Sequence, residues 1–359
     1  MDTLTHALVG AVAARATAPV STSAPTQAKV KPGHLPLTHR MLIGGIAAAF
    51  PDSDYLSILI NPLTFISDWH RAETHSLIML PIWALLLGLV FATLSHRRSQ
   101  WREFALICAL SLFTHILTDL ITSWGTQIFA PLSKFAPALS LTFVIDPYFT
   151  TIMAVTLLIA IVKHSGQIAR IGLVVLTCYV GLQAVLKQNA TGIGHDYARA
   201  MGLNDANVYA MPQPFSPFYW KLIVTDGKRY HMAYVDLIAS AQKPEPNIKS
   251  TSWLDIPAHY RSTTALHWQH YSLPGTQAVT QKVWWRPELE RYRRFARYPA
   301  LYRIDESQTD QCVWFMDLRF TLPTQTVPFR YGMCRQAQFD WRLYRLKGLS
   351  KNAREAIHD

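Results

Sequence analysis

The sequence predicts a mainly α-helical membrane bundle followed by a strand-rich α+β domain outside the membrane. Half of the 359 residues are hydrophobic and only 16% are charged, a low proportion for a soluble protein. Residues 1–186 contain 11 Lys and Arg and 8 Asp and Glu, whereas residues 187–359 contain 23 and 15. The long apolar segments all lie in the first part of the chain. We therefore predict a transmembrane domain over residues 1–187 and an extramembrane domain over residues 188–359.

Six apolar segments predict the helices of the bundle. The later ones are at or near the length at which a helix crosses a bilayer, about 20 residues. The first two are separated by Ala16–Pro36, a stretch rich in Ala, Pro, Ser and Thr that predicts a flexible loop. The segments are Leu4–Ala14, Leu37–Phe50, Ser76–Ser95, Glu103–Trp124, Phe149–Val162 and Ile168–Leu186.

Lys and Arg residues in the short connectors predict the orientation of the bundle. One set of connectors contains nine of them, and the opposite set contains only Arg71 and Lys134. Because basic connectors stay in the cytoplasm, residues 51–75 and 125–147 are expected to face outward. The C-terminal domain is then expected on the same outer side, in the periplasm of a bacterium with two membranes.

Alternating polar and apolar residues predict strands in the C-terminal domain. Asp226 and Gly227 lie between the runs Tyr219–Thr225 and Lys228–Asp236, a pattern that predicts a β-hairpin. The remaining predicted elements are strands at Cys312–Leu322, Val327–Arg335 and Phe339–Leu346 and a short helix at Pro287–Tyr298.

The basic excess and the cysteines of this domain restrict its partners. An excess of Lys and Arg is compatible with anionic lipid headgroups or phosphorylated substrates. No nucleic-acid-reading module accompanies it, so nucleic acid is not an expected partner. Cys312 and Cys334 lie 22 positions apart without a CxxC motif, which disfavours a cysteine zinc site. They could form a disulfide if the domain faces an oxidising space.

Ionisable residues at four places in the apolar half predict a functional site, because such groups are costly inside a membrane and are usually functional there. His115 and Asp119 form the most specific pair, since residues four apart in a helix project from one face. Such a pair can bind one metal, or the carboxylate can orient the imidazole. A His–Asp hydrogen bond that ties helices together is the alternative. The other ionisable residues are His6, Asp52, Asp54, His70 and His75.

Helix geometry places these groups at one depth in the membrane. Counted from Glu103 at the cytoplasmic edge, His115 lies about 18 Å and Asp119 about 24 Å along the helix. Both therefore fall in the outer leaflet, close to the outward connector over residues 51–75. His6 is expected at the same depth, because its helix descends from there towards the cytoplasm.

A Thr-His dipeptide occurs four times in this half of the chain. Thr5, Thr74 and Thr114 each precede a candidate ligand and could support it with a hydrogen bond. The fourth dipeptide contains His39, which is expected on the cytoplasmic side. His39 is therefore not an expected ligand.

The donor atoms predict the kind of metal. Imidazole nitrogens and carboxylate oxygens without thiolates suit zinc, manganese or iron. Zinc is the expected ion, as one ion or as a pair that shares water. Asp54 is a further ligand or a general base, and Arg71 either binds an anionic substrate group or lies at the surface. Asp146 is a helix cap or an extra ligand, and capping is the preferred interpretation. The expected metal ligands are His6, Asp52, His70, His75, His115 and Asp119.

Several motifs occur in order within residues 1–150. They are Asp2-x-x-Thr5-His6-x-x-x-Gly10, Phe50-Pro51-Asp52-x-Asp54, His70-Arg71-x-x-Thr74-His75-Ser76 and His115-x-x-x-Asp119-x-x-Thr122-Ser123-x-Gly125-Thr126-Gln127. This set resembles the YdjM-type family of bacterial inner-membrane, metal-dependent hydrolases, which is distantly similar to zinc-dependent phospholipases C. The resemblance implies a phospholipase C-like helical core and phosphoester hydrolysis in the bacterial inner membrane. Ala72 replaces a common Gly, and the N-terminal Trp of the soluble enzymes is absent, which argues against a third metal.

The expected function is hydrolysis of a phosphoester in a lipid or lipid-linked substrate by metal-activated water. Two alternatives stand beside it. A metal transporter could use the same ligands, although transporters place their sites near the bilayer midplane. A non-catalytic membrane scaffold could use the metal to stabilise its fold. An intramembrane metalloprotease is disfavoured because the chain contains no HExxH motif.

Overall fold

The first part of the chain folds as helices, and the second part is rich in strands. The structure is a computed structural model that describes residues 1–18, 34–240, 252–308, 310–336, 339–347 and 353–357. The chain forms two units, Met1–Leu56 with Trp69–Val185, and Ser57–Asp68 with Leu186–Asp359. The predicted loop Ala16–Pro36 lies mostly outside the described residues.

Each predicted apolar segment overlaps a helix, with ends that differ by a few residues except at the end of the last one, where the helix extends from Leu186 to Ala200. The helices are α1 (Thr3–Ala16), α2 (Leu37–Ala49), α3 (Pro62–Thr64), α4 (Leu80–Leu94), α5 (Trp101–Leu120), α6 (Pro147–Val162) and α7 (Gly166–Ala200). Helix α7 continues through residue 187, where the sequence places the domain boundary.

Asp146 caps α6, because its Oδ1 accepts from Tyr148 N and Phe149 N at 3.0 Å each. The capping interpretation of Asp146 is confirmed.

Short helical turns follow α2 and lead towards α4. Two 3-10 turns span Phe50–Leu59 and Glu73–His75, and a π-helical turn spans Phe65–Trp69. Pro51 has no amide hydrogen, so the α-helical hydrogen bonds of α2 cannot continue through it. The sequence after α2 therefore forms tighter turns, and these turns contain Asp52, Asp54 and His75.

Within the described ranges, two helices are long and apolar enough to cross a membrane, Arg98–Leu120 and Gly166–Ala200. Pro62–His75 and Leu80–Leu94 could together form a third span, which is bent by 68°. Many large apolar side chains on these helices are exposed, as lipid-facing residues are in a membrane protein. Helices α1 and α2 are apolar, but with 14 and 13 residues they are shorter than a span.

Helix α5 packs through one long buried stripe. Phe104, Cys108 and Leu112 are spaced four apart, are 0–1% exposed, and pack with apolar residues of α2 and α4. His115 and Asp119 continue this stripe to the end of the helix, because residues three or four apart share a face. The packing that buries the apolar part of α5 therefore also buries its two ionisable side chains.

A glycine contact brings α1 against α2. A Cβ atom on Gly10 would lie 2.3 Å from Gly44 O, and one on Gly44 would lie 2.6 Å from Gly10 O. Only glycine permits this approach, since real Cβ atoms do not come so close to a carbonyl. His6 lies one turn before Gly10 on the same face of α1. The contact therefore sets how closely His6 approaches α2.

The C-terminal unit contains two antiparallel sheets. Its strands are β1 (Asn207–Pro212), β2 (Tyr219–Thr225), β3 (Arg229–Asp236), β4 (Gln269–Ser272), β5 (Pro299–Glu306), β6 (Asp310–Asp317), β7 (Tyr331–Gln336), β8 (Arg342–Leu346) and β9 (Arg354–Ala356). The sheet orders are β1-β2-β3-β4 and β5-β6-β7-β8-β9. The predicted hairpin is confirmed as β2 and β3, with Thr225 paired to Tyr230. Cys312 and Cys334 pair across β6 and β7 and form a disulfide.

Other predicted elements of this unit are present but shorter. Asp317 Oδ1 accepts from Arg319 N at 2.9 Å and starts a 3-10 turn over Leu318–Phe320. The strand predicted as far as Leu322 therefore ends at Asp317. The helix predicted over Pro287–Tyr298 is a short 3-10 turn followed by α9 (Glu290–Phe295), and α8 (Ala278–Trp284) precedes it.

Lys221 in β2 is a buried basic side chain of the C-terminal unit. Its Nζ donates to the carbonyl oxygens of Leu318, Arg319 and Thr321 at 2.6, 2.9 and 2.9 Å. The residue is 0% exposed. Burial lowers the pKa of Lys221 from 10.5 to about 7, because an ammonium group loses its hydration in the interior.

We expect Gly10→Ala to destabilise the N-terminal unit, because the added methyl group overlaps the Gly44 carbonyl. Overpacking of this kind costs about 1–3 kcal/mol. Gly181→Ala in α7 is the matched control, since no atom lies within 4 Å of its added Cβ and Ala favours a helix over Gly by about 1 kcal/mol. Thermal unfolding in detergent should show a lower midpoint for the first variant only. An equal loss in both variants would contradict the close-contact interpretation.

We expect the free energy of unfolding of the C-terminal unit to rise with pH between about 7 and 10.5. In this window Lys221 holds its proton when unfolded and has lost it when folded, so the unfolded state binds more protons. The slope is at most about 1.4 kcal/mol per pH unit. Urea denaturation of the full chain in detergent at several pH values in this window measures it. Lys221→Met should remove this slope, and an unchanged slope in that variant would refute the assignment.

Candidate metal centre

Side chains from separate segments meet in one buried space. His6 comes from α1, Asp52 from the turn after α2, His75 from the turn before α4, and His115 and Asp119 from α5. Among the described residues they form two overlapping groups whose ligand atoms lie within 4.8 Å of one another. The groups are His6, His115 and Asp119, and Asp52, His75 and His115. Each group could hold a metal ion.

Asp119 is the carboxylate that the three imidazoles share. Its Oδ1 lies 3.2 Å from His6 Nε2, and its Oδ2 lies 3.3 Å from His75 Nε2 and 3.4 Å from His115 Nε2. The rings of His6 and His115 stack with their centroids 3.6 Å apart. All four side chains are 0% exposed. The imidazoles therefore present their Nε2 atoms to one carboxylate in a space closed to water.

Asp52 approaches the same space from the turn after α2. Its Oδ1 lies 3.8 Å from the Nε2 atoms of both His75 and His115, and Thr3 Oγ1 donates to its Oδ2 at 2.6 Å. Burial by itself raises the pKa of Asp52, but His75 and His115 lower it by more, so the pKa falls below its ordinary value. Asp52 is therefore ionised at neutral pH, as a metal ligand must be.

Hydrogen bonds at Nδ1 fix the orientation of two imidazoles. His115 Nδ1 donates to Ala48 O at 2.6 Å. His6 Nδ1 donates to Thr118 Oγ1 at 2.9 Å, because the Thr118 hydroxyl gives its own proton to the carbonyl oxygens of α5. When Nδ1 bears the proton, Nε2 is left with the lone pair that binds a metal.

His75 is held in the same way. Its Nδ1 lies 2.9 Å from Thr74 Oγ1 and 3.7 Å from Asp54 Oδ2, two oxygens that can accept its proton. All three rings are thus supported by oxygen at Nδ1 and turn Nε2 towards Asp119. This support is the usual arrangement around a metal-binding histidine.

Buried polar atoms at the centre have no hydrogen-bond partner among the residues that the structure describes. They are the Nε2 atoms of His6, His75 and His115 and the Oδ2 atom of Asp119. A buried polar atom without a partner costs about 1–3 kcal/mol, and four such atoms face one another here. One divalent cation would satisfy lone pairs on several of them at once. The residues present therefore fit a metal ion.

Arg71 lies against Asp119 and is itself buried. Its Nη2 donates to Asp119 Oδ1 and its Nη1 donates to Thr122 Oγ1, both at 2.8 Å. The amino group of Met1 also contacts Asp119 Oδ1. Of the two alternatives for Arg71, the surface position is wrong, because the residue is 3% exposed.

His70 and Asp54 form a pair beside the two groups. His70 Nδ1 lies 3.1 Å from both oxygens of Asp54, and the backbone N–H of Arg71 donates to Asp54 Oδ2 at 2.9 Å. The His70 ring contacts the rings of Tyr55 and Trp124, with centroids 4.7 and 5.0 Å away. Neither His70 nor Asp54 belongs to the two groups with metal-ligand spacing.

The supporting hydrogen bonds differ in part from the sequence-based expectation. Thr5 and Thr114 bond to Asp2 and to Ser111 O rather than to a candidate ligand. Thr3 and Thr118 take that role instead, and sequence reasoning did not identify them. The sequence could have identified Thr118 as a supporting residue, because it lies three residues after His115 and therefore on the same face of α5.

Comparisons with known proteins extend over the helical half of the chain. Residues 1–190 match the model of the family described as YdjM inner membrane protein. The uncharacterized protein YfhP of Bacillus subtilis (strain 168) is 30% identical over 151 residues, which are 41% of this chain and 42% of that protein. The match thus spans less than half the length of this curated relative. No solved structure matches the chain. Because the family model covers more than half of the sequence, including every candidate ligand, this chain belongs to the YdjM inner membrane protein family.

Proposed function

We propose that this protein is a membrane-bound, metal-dependent hydrolase that cleaves a phosphoester in a lipid or lipid-linked substrate. One observation carries the proposal: three imidazole Nε2 atoms converge on the Asp119 carboxylate in a buried space, and within the described part of the chain they make no hydrogen bond. A site that served only to tie helices together would pair these atoms with one another through protons. Here His115 Nδ1 and His6 Nδ1 donate to other oxygens, which leaves a lone pair on each Nε2 and supports a metal ion between the rings and the carboxylate.

The donor set favours zinc, as one ion or two. Imidazole nitrogen with carboxylate oxygen is a common zinc environment. His115 belongs to both groups but offers a single Nε2 lone pair, so it binds one ion in either arrangement. A divalent metal held by these residues would act as a Lewis acid and would make water nucleophilic at neutral pH.

The chain's own residues support three roles in such a reaction. Asp52 and Asp119 supply negative charge to hold the cation. Arg71 orients Asp119 through Nη2, while its Nε atom is buried and makes no hydrogen bond within the described parts of the chain. This donor is available to an anionic group of the substrate. Asp54 holds the His70-Arg71 turn in place, which suits a positioning role better than that of a metal ligand.

The setting of the site supports the proposed lipid substrate and the proposed orientation. The family is named for an inner membrane protein, and the candidate ligands lie on or next to candidate spans, which favours a substrate from the bilayer. The disulfide between Cys312 and Cys334 favours an oxidising compartment for the C-terminal unit. We therefore infer a periplasmic location for this unit and, from the basic connectors, for the metal centre.

The proposal predicts a chelator-sensitive hydrolase. Purified protein in detergent should hydrolyse a member of a panel of phospholipids and lipid-linked phosphates, and His115→Ala should lower this activity at least about 100-fold through loss of the ion. His39→Ala is the matched control, since His39 also follows a Thr but is exposed. Elemental analysis should find zinc in the control and little in His115→Ala.

Full activity after removal of the metal would reject the mechanism. Bound metal without hydrolysis, but with uptake into proteoliposomes, would favour the transporter alternative.

Removal of one supporting hydroxyl should weaken metal binding without touching a ligand. In Thr118→Val the oxygen that accepts from His6 Nδ1 is lost, and we expect about 10–100-fold lower zinc affinity. Thr177→Val in α7 is the control, because Thr177 makes the same bond to a carbonyl four residues earlier but contacts no imidazole. Competition with a chromogenic chelator measures both affinities. Equal affinities would show that Thr118 does not orient His6.

A further inference from the structure

The C-terminal unit has an exposed apolar segment where its chain approaches the candidate spans. Leu59 and Ile60 are 84% and 76% exposed, and Ile58 beside them is 36% exposed. Residues 55–67 contain no charged side chain. Consecutive large apolar residues that face outward on a water-soluble domain are unusual and mark a contact surface.

Arginine residues adjoin this segment. Asp68 pairs with Arg294 at 3.0 Å and with Arg291 at 3.9 Å, and helix α9 also packs against α3. Residues 285–298 contain five Arg and two Glu, a net charge of +3, which the paired Asp68 and Asp340 lower to +1. The chain that directly follows residues 57–60 therefore contacts a basic helix through α3 and Asp68.

Trp285 extends the same surface. It is 66% exposed, and the guanidinium of Arg293 in α9 lies over its ring at 5.3 Å from the centroid. Tryptophan is enriched at the boundary between lipid and water, where its ring spans the apolar and polar zones. Exposed aliphatic residues, a tryptophan and a cluster of Arg side chains together form the pattern of an interfacial membrane contact.

We propose that the C-terminal unit docks on an anionic bilayer surface through this interfacial patch, formed by residues 57–60, Trp285 and helix α9. The aliphatic side chains enter the headgroup region, and the guanidinium groups face lipid phosphates. Chain continuity supports lipid rather than a protein as the occupant, because Pro62–His75 forms one limb of a candidate span. Residues 57–60 therefore lie next to the membrane through their own chain. The proposal does not depend on the hydrolase function.

Spin-label accessibility in lipid nanodiscs tests the docking. The full chain is used with Cys108 and Cys178 replaced by Ala, since these are the free cysteines and the disulfide remains intact. A nitroxide is attached in Leu59→Cys or, as the control, in Lys228→Cys at the exposed polar tip of the β2–β3 hairpin. Collision rates with oxygen, which concentrates in lipid, and with a nickel chelate, which stays in water, are then compared.

We expect a ratio of oxygen to nickel collisions several-fold higher at residue 59 than at residue 228. Adding phosphatidylglycerol to phosphatidylcholine discs should raise the ratio at 59 further, and high salt should cancel that increase by screening the arginines. Nickel collisions at 59 as frequent as those at 228 in every lipid would overturn the proposal. Low collision rates with both reagents at 59 would also overturn it, because they would show that protein covers the segment.

Discussion

The buried carboxylate of Asp119 is the interaction on which the centre depends. An ion without hydration must be compensated by opposite charge or by hydrogen bonds. Arg71 compensates one oxygen, whereas the other faces the Nε2 atoms of His75 and His115. A divalent cation between these atoms completes the compensation. The side chains gathered at the end of α5 could therefore hold a metal ion.

Helical periodicity accounts for the part of the centre that could be predicted. The spacing of His115 and Asp119 places them on one face, and the buried stripe of α5 carries that face inward. The strand predictions succeeded where polar and apolar residues alternate next to a clear turn, as in the hairpin at Asp226 and Gly227. The short strands β1, β4 and β9 lack such a signal. They are recognised as strands only because a neighbouring strand pairs with each of them.

The remaining parts depend on contacts that have no sequence pattern. The His-rich turn contains His70 and His75 only five residues apart, yet only His75 has metal-ligand spacing. The left-handed backbone at Arg71, with φ of 57°, turns the chain between them. Neither composition nor periodicity predicts such a turn, because it is stabilised by Asp54 from a distant segment.

The hydrogen bond from His115 to Ala48 O means that the three imidazoles differ in how easily a mutation can remove the group that orients them. His6 and His75 are oriented by threonine hydroxyls, which a single codon change can delete. A main-chain carbonyl survives every side-chain replacement at its own position. A random mutagenesis screen for weaker metal binding should therefore recover substitutions of both threonines. A substitution at residue 48 should not be recovered for loss of a hydrogen bond, because the main-chain carbonyl remains. The orientation of His115 should instead be lost in variants that displace the backbone at the end of α2.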